Sequence, residues 1–595
     1  MDRNSLLRVL AITAAVLLFW KFGLPLITGS SDKVQSVPEE AYVNAPGFVP
    51  DTLDAPAEPG KPNQPAEGEI CKINGKRFDA SLSTRGAAIV HFNLEGGKYE
   101  GMDLSTTPDH ERWRSLRTVF RGPDGKDQVK YDRVVWKLEP PTEGEAGKSC
   151  TFTYEDDDVR LEKKLTAGER PFELLVKSSV TNLAKEARRH QLSIGTYSFR
   201  KNIDLKGSLG RQSPWVTELE CASGSDVVRK NRDEFKSGWF AVPSVDRYAA
   251  INTQYFTQAL MPDPAPGTVT ELPRCELLAE EWVAPGQAHD ADDAAVIFHA
   301  KLVYPAKELQ PQGTASYEEI AFFGPKERDV LAHAGGSDRL KDVINLGFFR
   351  PVARVLVGFL VFLHEKVTFG NWGVAIILLT VCLRTVLFPL TWKSIKTTIA
   401  MRKLKPEVDA LNEKFKDDAQ AKNLAMMELW KKHGVNPFGG CLPQLVQMPV
   451  WFAMYTTLQT AAEMYHVKFL WFKDLSSPDP YYVLPLLLGA FMIIQQRIVP
   501  QQGMDPVQQK MMMWMMPIIF TVMMLFLPAA LGVYMLTNSV LGIVQQLVLE
   551  QVAPRPKDGD KGGIVVKQKG EKPKGDAAKN EKSLGDGFGK GKARV

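Results

Sequence analysis

Large apolar residues gather in two places along this chain, near the N-terminus and between residues 350 and 550, while residues 30 to 335 read as a water-soluble region. Residues 1–28 begin Met-Asp-Arg-Asn-Ser-Leu-Leu-Arg and then run apolar through Val9–Leu18, Phe19, Trp20 and Leu24–Ile27. Basic residues ahead of an apolar stretch of spanning reach predict a membrane anchor with a cytoplasmic N-terminus. No convincing small-x-small cleavage site follows Ile27, which favours an uncleaved anchor over a cleaved signal peptide. Residues 29–69, rich in Pro, Gly, Glu and Asp, read as a disordered linker. From Cys71 to Phe323 short alternating runs recur, at Tyr131–Lys137, Cys150–Tyr154, Val159–Leu165, Phe172–Val180 and Ala294–Tyr304, separated by Gly, Pro and Asp clusters. Period-two alternation at this density predicts an antiparallel β-sandwich over residues 70–325.

Beyond it, residues 337–369 contain an apolar run, Val355–Leu363, preceded by Arg350, Pro351 and Arg354. That run is shorter than the roughly 20 residues needed to cross the hydrocarbon, so an amphipathic helix lying in the outer interface is expected. A true span there would reverse the topology of everything downstream. Five spans are predicted next, over Asn371–Leu390, Leu442–Met464, Tyr481–Val499, Met511–Leu527 and Ala529–Leu549. With the anchor they make six, five of them forming one core over residues 370–550, and parity puts both termini in the cytoplasm and residues 29–340 outside. Lys and Arg crowd the 392–435 loop and the 551–595 tail, as the positive-inside rule requires of cytoplasmic segments.

Composition adds little to that pattern. The chain is 595 residues with a formal net charge of +4, too long for one core. Its six cysteines include no C-x-x-C pair, and no G-x-S-x-G, H-E-x-x-H or P-loop pattern occurs. Neither an enzyme nor a cofactor or metal is therefore expected, and no ATP use. Cys71, Cys150, Cys221 and Cys275 fall in the soluble stretch; outside the cytoplasm one or two disulfides fit, and buried free thiols fit equally.

Arg384 is the most informative position. It stands in an otherwise apolar predicted span, where an arginine costs about 2.5–3.5 kcal/mol at mid-bilayer. Thr380 lies one turn earlier, with Gly373, Ile377, Leu387 and Thr391 on the same face. Snorkelling to the cytoplasmic headgroups is the plain alternative. Polar residues in other spans favour an internal, hydrated site: Gln444, Gln447 and Trp451 share a face, as do Tyr534, Asn538, Leu541 and Gln545, and Gln495 and Gln496 lie deep in a third span. Interhelical hydrogen bonds alone would also account for them. No acidic residue lies well inside a span to pair with the arginine, so its expected partner is water or a visiting group. Methionines 511, 512, 513, 515, 516, 523 and 524 suggest adaptable packing, a weak signal against ordinary lipid-facing filler.

In the 392–435 loop, Leu404, Val408, Leu411 and Phe415 form one helical stripe; Leu424, Met427 and Trp430 begin a second after the Lys416-Asp417-Asp418 turn. A cytoplasmic helical hairpin is predicted, longer than a mere connector needs to be. The Lys- and Gly-rich tail is expected to be disordered, with anionic lipid, ribosomal RNA or plain solubilisation as its uses.

Further motifs are Gly370-Asn371-Trp372-Gly373, Thr380-x-x-x-Arg384, Phe388-Pro389-Leu390-Thr391 and Asn436-Pro437-x-Gly439-Gly440-Cys441-x-Pro443. They continue through Gln447-Met448-Pro449, Asp479-Pro480-Tyr481-Tyr482-Val483-Leu484-Pro485, Asp505-Pro506-x-Gln508-Gln509-Lys510, and Asn538 to Gln545-Gln546. In these motifs the chain resembles the YidC membrane-protein insertases of the long, Gram-negative type. The outer region matches more loosely, at Gly238-Trp239, Tyr255-Phe256 and Gly324-Pro325-Lys326. The resemblance implies an inner-membrane insertase and chaperone with a sugar-mutarotase-like outer sandwich of no assigned catalysis. It implies a hydrophilic groove open to cytoplasm and lipid, with Arg384, Thr380, Gln447, Tyr534, Asn538 and Gln495 facing it. Expected partners are nascent membrane proteins, membrane lipids, and the Sec translocon and ribosome, with no dedicated nucleic-acid target. Where some relatives carry a second tyrosine after the first in the last span, this chain has Met535. The competing functions are a small-anion transporter built on Arg384 and a membrane-tethered carbohydrate-binding protein.

Overall fold

The computed structural model describes residue 48 and residues 68–106, 113–122, 127–128, 130–206, 213–235, 238–283, 294–336, 338–392, 404–415, 418–433, 442–498 and 506–552. The predicted anchor (1–28), nearly all of the linker, the Asn436–Cys441 motif and the tail beyond Val552 lie outside the described residues.

Alternation builds the first half of the molecule. In Val159–Ala167 the buried residues Val159, Leu161, Lys163 and Leu165 alternate with Arg160, Glu162 and Lys164 on the open face. Glu173–Asn182 pairs with that strand on one side and with Thr314–Pro325 on the other. These are the middle strands of a nine-stranded antiparallel sheet that runs from Asp226–Asn231 at one edge to Lys137–Glu139 at the other. A six-stranded sheet, including Leu192–Lys201, Arg274–Trp282 and Ala295–Val303, contributes Val296, Phe298, Ala300 and Leu302 to the same core. The predicted sandwich is present. Tyr131–Lys137 departs from the prediction: residues 130–133 make a helical turn and only Lys137–Glu139 is strand. Local bonds explain it, because buried Asp132 pairs with Arg117 at 2.7 Å and the Trp136 indole donates to the Tyr131 carbonyl at 2.8 Å. Neither bond fits a regular ladder.

Two disulfides are formed. Cys71–Cys150 joins the small N-terminal sheet to the large one, and Cys221–Cys275 crosses between the two main sheets. Pairing thus replaces the free-thiol alternative for these four residues.

The second half is helical: α1 (Arg350–Phe362), α2 (Trp372–Val386), α3 (Lys405–Lys414), α4 (Ala419–Lys432), α5 (Leu442–Gln459), α6 (Val483–Ile498), α7 (Pro506–Met524) and α8 (Ala529–Val552). Caps set several starts: the Asn371 side chain accepts from Val374 N–H, and that of Asp418 from the N–H groups of Gln420 and Ala421. Among the described residues only Ala529–Leu549 is by itself long and apolar enough to cross a membrane; Trp372–Val386, Val483–Ile498 and Met513–Met524 are shorter apolar helices. Helix α1 buries Ala353, Leu356, Val357 and Leu360 and exposes Val355, Phe359 and Phe362. Helix α8 packs against α2, α5 and α6.

The two halves meet where the chain leaves α5. Tyr465 packs among Tyr99, Tyr255 and Phe256, and Lys98 donates to the carbonyls of Ala462 (2.9 Å) and Glu463 (2.7 Å). Arg328 closes the joint with an ion pair to Glu463 at 2.7 Å. Burial there holds the Lys98 pKa below its usual value, opposed by the charges of Glu327 and Glu463.

Candidate functional site

Three helices leaning on α8 bring their polar residues to one stretch of it. Asn538, Gly542 and Gln545 follow one another at spacings of four and three, and so share a face. Arg384 comes from the last turn of α2, where a cation also complements the carbonyl end of its helix. Its Nε donates to Asn538 Oδ1 at 2.7 Å, one terminal nitrogen donates to the Asn538 backbone carbonyl at 2.7 Å, and the other to Gln545 Oε1 at 3.3 Å. Gln447 of α5 donates to the same Asn538 Oδ1 at 3.2 Å. Gln495 of α6 approaches across Gly542: a Cβ built there would lie 3.4 Å from its Nε2 and 3.1 Å from an Arg384 terminal nitrogen.

Every one of these acceptors is uncharged. Among the described residues Arg384 forms no ion pair, so its charge is solvated by amide dipoles but not neutralised. Such a half-buried cation can still accept an anionic partner at a gain in energy.

Arg384, Gln447, Asn538 and Gln495 are therefore brought together. Thr380 and Tyr534 are buried. Thr380 is 1 % exposed and spends its hydroxyl on the Ile376 carbonyl at 2.7 Å, while Tyr534 is 2 % exposed. Where the expected partner was water or a visiting group, Asn538 and Gln545 supply neutral acceptors. Gln545 was legible as part of the polar face; Gly542, which makes room for the guanidinium, was not.

Helices α3 and α4 pack together through Val408, Met426 and Leu429, with Leu411 and Trp430 at the edge. Leu404 is buried, and Phe415 ends α3 half-buried beneath the Lys414 ammonium. Leu424 and Met427, expected on the inner stripe, are instead 59 % and 63 % exposed. The reason is rotational: with Met426 and Leu429 turned inward, residues 424 and 427 lie on another face. On α7 the methionines divide, Met515 facing outward beside Trp514, Ile518 and Val522 while Met524 is buried.

Comparison with known proteins gives two family matches: residues 71–359 match the YidC periplasmic domain, and residues 362–556 match the 60Kd inner membrane protein family. The membrane protein insertase YidC of Anaeromyxobacter sp. (strain K) is 33% identical over 522 residues, covering 83% of this chain and 88% of the relative. That of Geobacter sulfurreducens is 47% identical over 248 residues, 42% of this chain and 46% of the relative. A solved structure, described as an active YidC insertase with its first transmembrane domain resolved, shares 17% identity at a TM-score of 0.34, covering 82% of this chain and 96% of that one.

Proposed function

The chain belongs to the YidC family of inner-membrane protein insertases, and we propose that it moves nascent hydrophobic segments into the bilayer along a hydrophilic groove walled by the Arg384 cluster. The family is named for insertion and for no reaction, and the chain is accordingly not an enzyme. The observation that carries the groove reading is a half-buried guanidinium among apolar helices, bonded among the described residues to uncharged groups alone.

In this reading six spans cross the membrane: residues 1–28 and the five segments that contain α2, α5, α6, α7 and α8. Both termini are cytoplasmic, residues 29–340 lie outside, and the groove opens to cytoplasm and lipid. Two disulfides within residues 70–325 support the outer placement, since such bonds persist in oxidising compartments. The exposed Val355, Phe359 and Phe362 of α1, beside Arg350 and Arg354, support a helix lying in the outer interface.

The steps follow from transfer energetics. Residues 392–435 form a cytoplasmic hairpin that receives the client, and the exposed Leu424 and Met427 suit an apolar segment. The client's short polar tail enters the groove, which shortens its path through dry hydrocarbon. Arg384 offers a stop for acidic residues or carbonyl groups of the tail. The apolar segment then leaves sideways into lipid, driven by its own transfer free energy. For acidic tails a potential positive outside adds about 2.3 kcal/mol per charge per 100 mV. Nascent membrane proteins are the clients, with the Sec translocon and the ribosome as partners on this reading.

The test is insertion of a single-span client with an acidic outer tail into vesicles containing only this protein. Arg384→Ala lowers insertion about tenfold or more, the worth of one charge-assisted contact, while Arg384→Lys retains most of it. Unchanged insertion by the alanine variant removes Arg384 from the mechanism.

A further inference from the structure

A guanidinium carries five N–H donors. In Arg384 three of them reach α8, which leaves one on each terminal nitrogen with no partner among the described residues. One of the three goes to a backbone carbonyl in mid-helix, that of Asn538, and a side chain one turn later would crowd the arginine that reaches it. That residue is Gly542. A Cβ there would stand 3.1 Å from the donating nitrogen and 3.6 Å from Cζ, closer than ordinary van der Waals contact to the first. Gln495 Nε2, at 3.4 Å from the same point, bounds the notch on the α6 side.

We propose that Gly542 is a positioning residue for insertion: its notch seats the Arg384 guanidinium on α8 so that two N–H groups, one per terminal nitrogen, are presented to a single client carboxylate. The proposal rests on the groove reading and adds to it a definite seat for the arginine. Two donors are what a carboxylate takes in a bidentate pair. Because the seat is made of neutral acceptors, a carboxylate adds charge pairing without displacing an existing anion. Gly542 touches no client. It acts through where it lets the arginine stand.

A valine at position 542 fills the notch with two further methyl carbons, whereas an alanine asks the guanidinium to give by only a few tenths of an ångström. Insertion into vesicles is measured for two clients identical except for an acidic or an uncharged outer tail. Gly542→Val lowers insertion of the acidic-tail client about tenfold, the scale of one lost charge-assisted hydrogen bond, and leaves the uncharged-tail client unchanged. The Arg384→Ala/Gly542→Val double variant is no worse than Arg384→Ala alone, because both remove one interaction. Equal loss for both tails, or multiplication of the two losses in the double variant, overturns the proposal and marks Gly542 as helix packing only. Should Gly542→Val fail to accumulate, Gly542→Ala carries the test: a roughly twofold loss confined to the acidic tail supports the seat, and equal or no loss refutes it. If Arg384→Ala inserts normally, the groove reading falls and this inference with it. If Arg384→Ala is impaired while Gly542→Val is not, only the seat falls.

Discussion

Removing the Cys221–Cys275 bond probes the outer sandwich most directly, since that bond joins its two sheets through residues that are buried at both ends. The bond spans a sequence separation of 54, and the chain-entropy relation for a loop of that size gives about 4 kcal/mol at 25 °C. Cys71–Cys150, with a separation of 79, comes to about 4.5 kcal/mol by the same relation. The two loops do not overlap in sequence, so their effects should add. Domains of this kind are stable by only about 5–15 kcal/mol, so losing both bonds consumes much of the margin. For the Cys221→Ala/Cys275→Ala pair alone, about 4 kcal/mol corresponds to a fall in Tm on the order of 10 °C for a unit of about 250 residues. The assay is thermal unfolding of the full chain in detergent, followed by near-ultraviolet circular dichroism. The oxidised protein, the same protein after reduction, and the alanine pair are compared, with thiol labelling to verify reduction. A Tm within about 2 °C of the oxidised protein, once reduction is complete, would refute the argument that these loops restrain the unfolded chain.

Acid should weaken the sandwich through His190. Burial pushes its pKa down to about 4 against an ordinary 6.5, and its Nε2 is 2.6 Å from the Tyr317 hydroxyl. Between those values the unfolded chain binds a proton that the folded one refuses, so stability falls as pH drops from 6.5 towards 4, by up to about 3 kcal/mol. Glu319 and Glu220, pushed up to about 7 by burial, act in the opposite direction over part of that range. The measurement is therefore the difference in urea unfolding between the parent and His190→Asn at both pH values; parallel curves would refute the assignment. At the joint between the halves, a double-mutant cycle of Arg328→Ala with Glu463→Ala should return a coupling of about 1–2 kcal/mol, the pair being mostly buried. Hydrogen exchange at residues 459–465 reads it, and zero coupling would show the ion pair to be incidental.

Periodicity along the chain was enough for the broad architecture. Val159–Leu165 announces a strand because alternate positions must face opposite sides of a sheet, whatever the sheet's neighbours are. The apolar run over Ala529–Leu549 likewise announces a long buried or membrane helix from composition alone. Arg384 stood out for the same local reason, a lone charge in a mostly apolar run, and the polar positions on the face of α8 could be counted off at helical spacing. What faces what was another matter. The arginine's seat joins residues 154 and 161 positions apart in sequence and depends on how α2 crosses α8. A rotation of α4 by a fraction of a turn is what exchanges Leu424 and Met427 for Met426 and Leu429 at the α3 contact. Cysteine pairing had the same character, because four cysteines allow three connectivities and spacing does not choose among them. Local pattern sets which face of an element is apolar; only the packed arrangement sets which other face it meets, and the seat at Gly542 exists nowhere but in that arrangement.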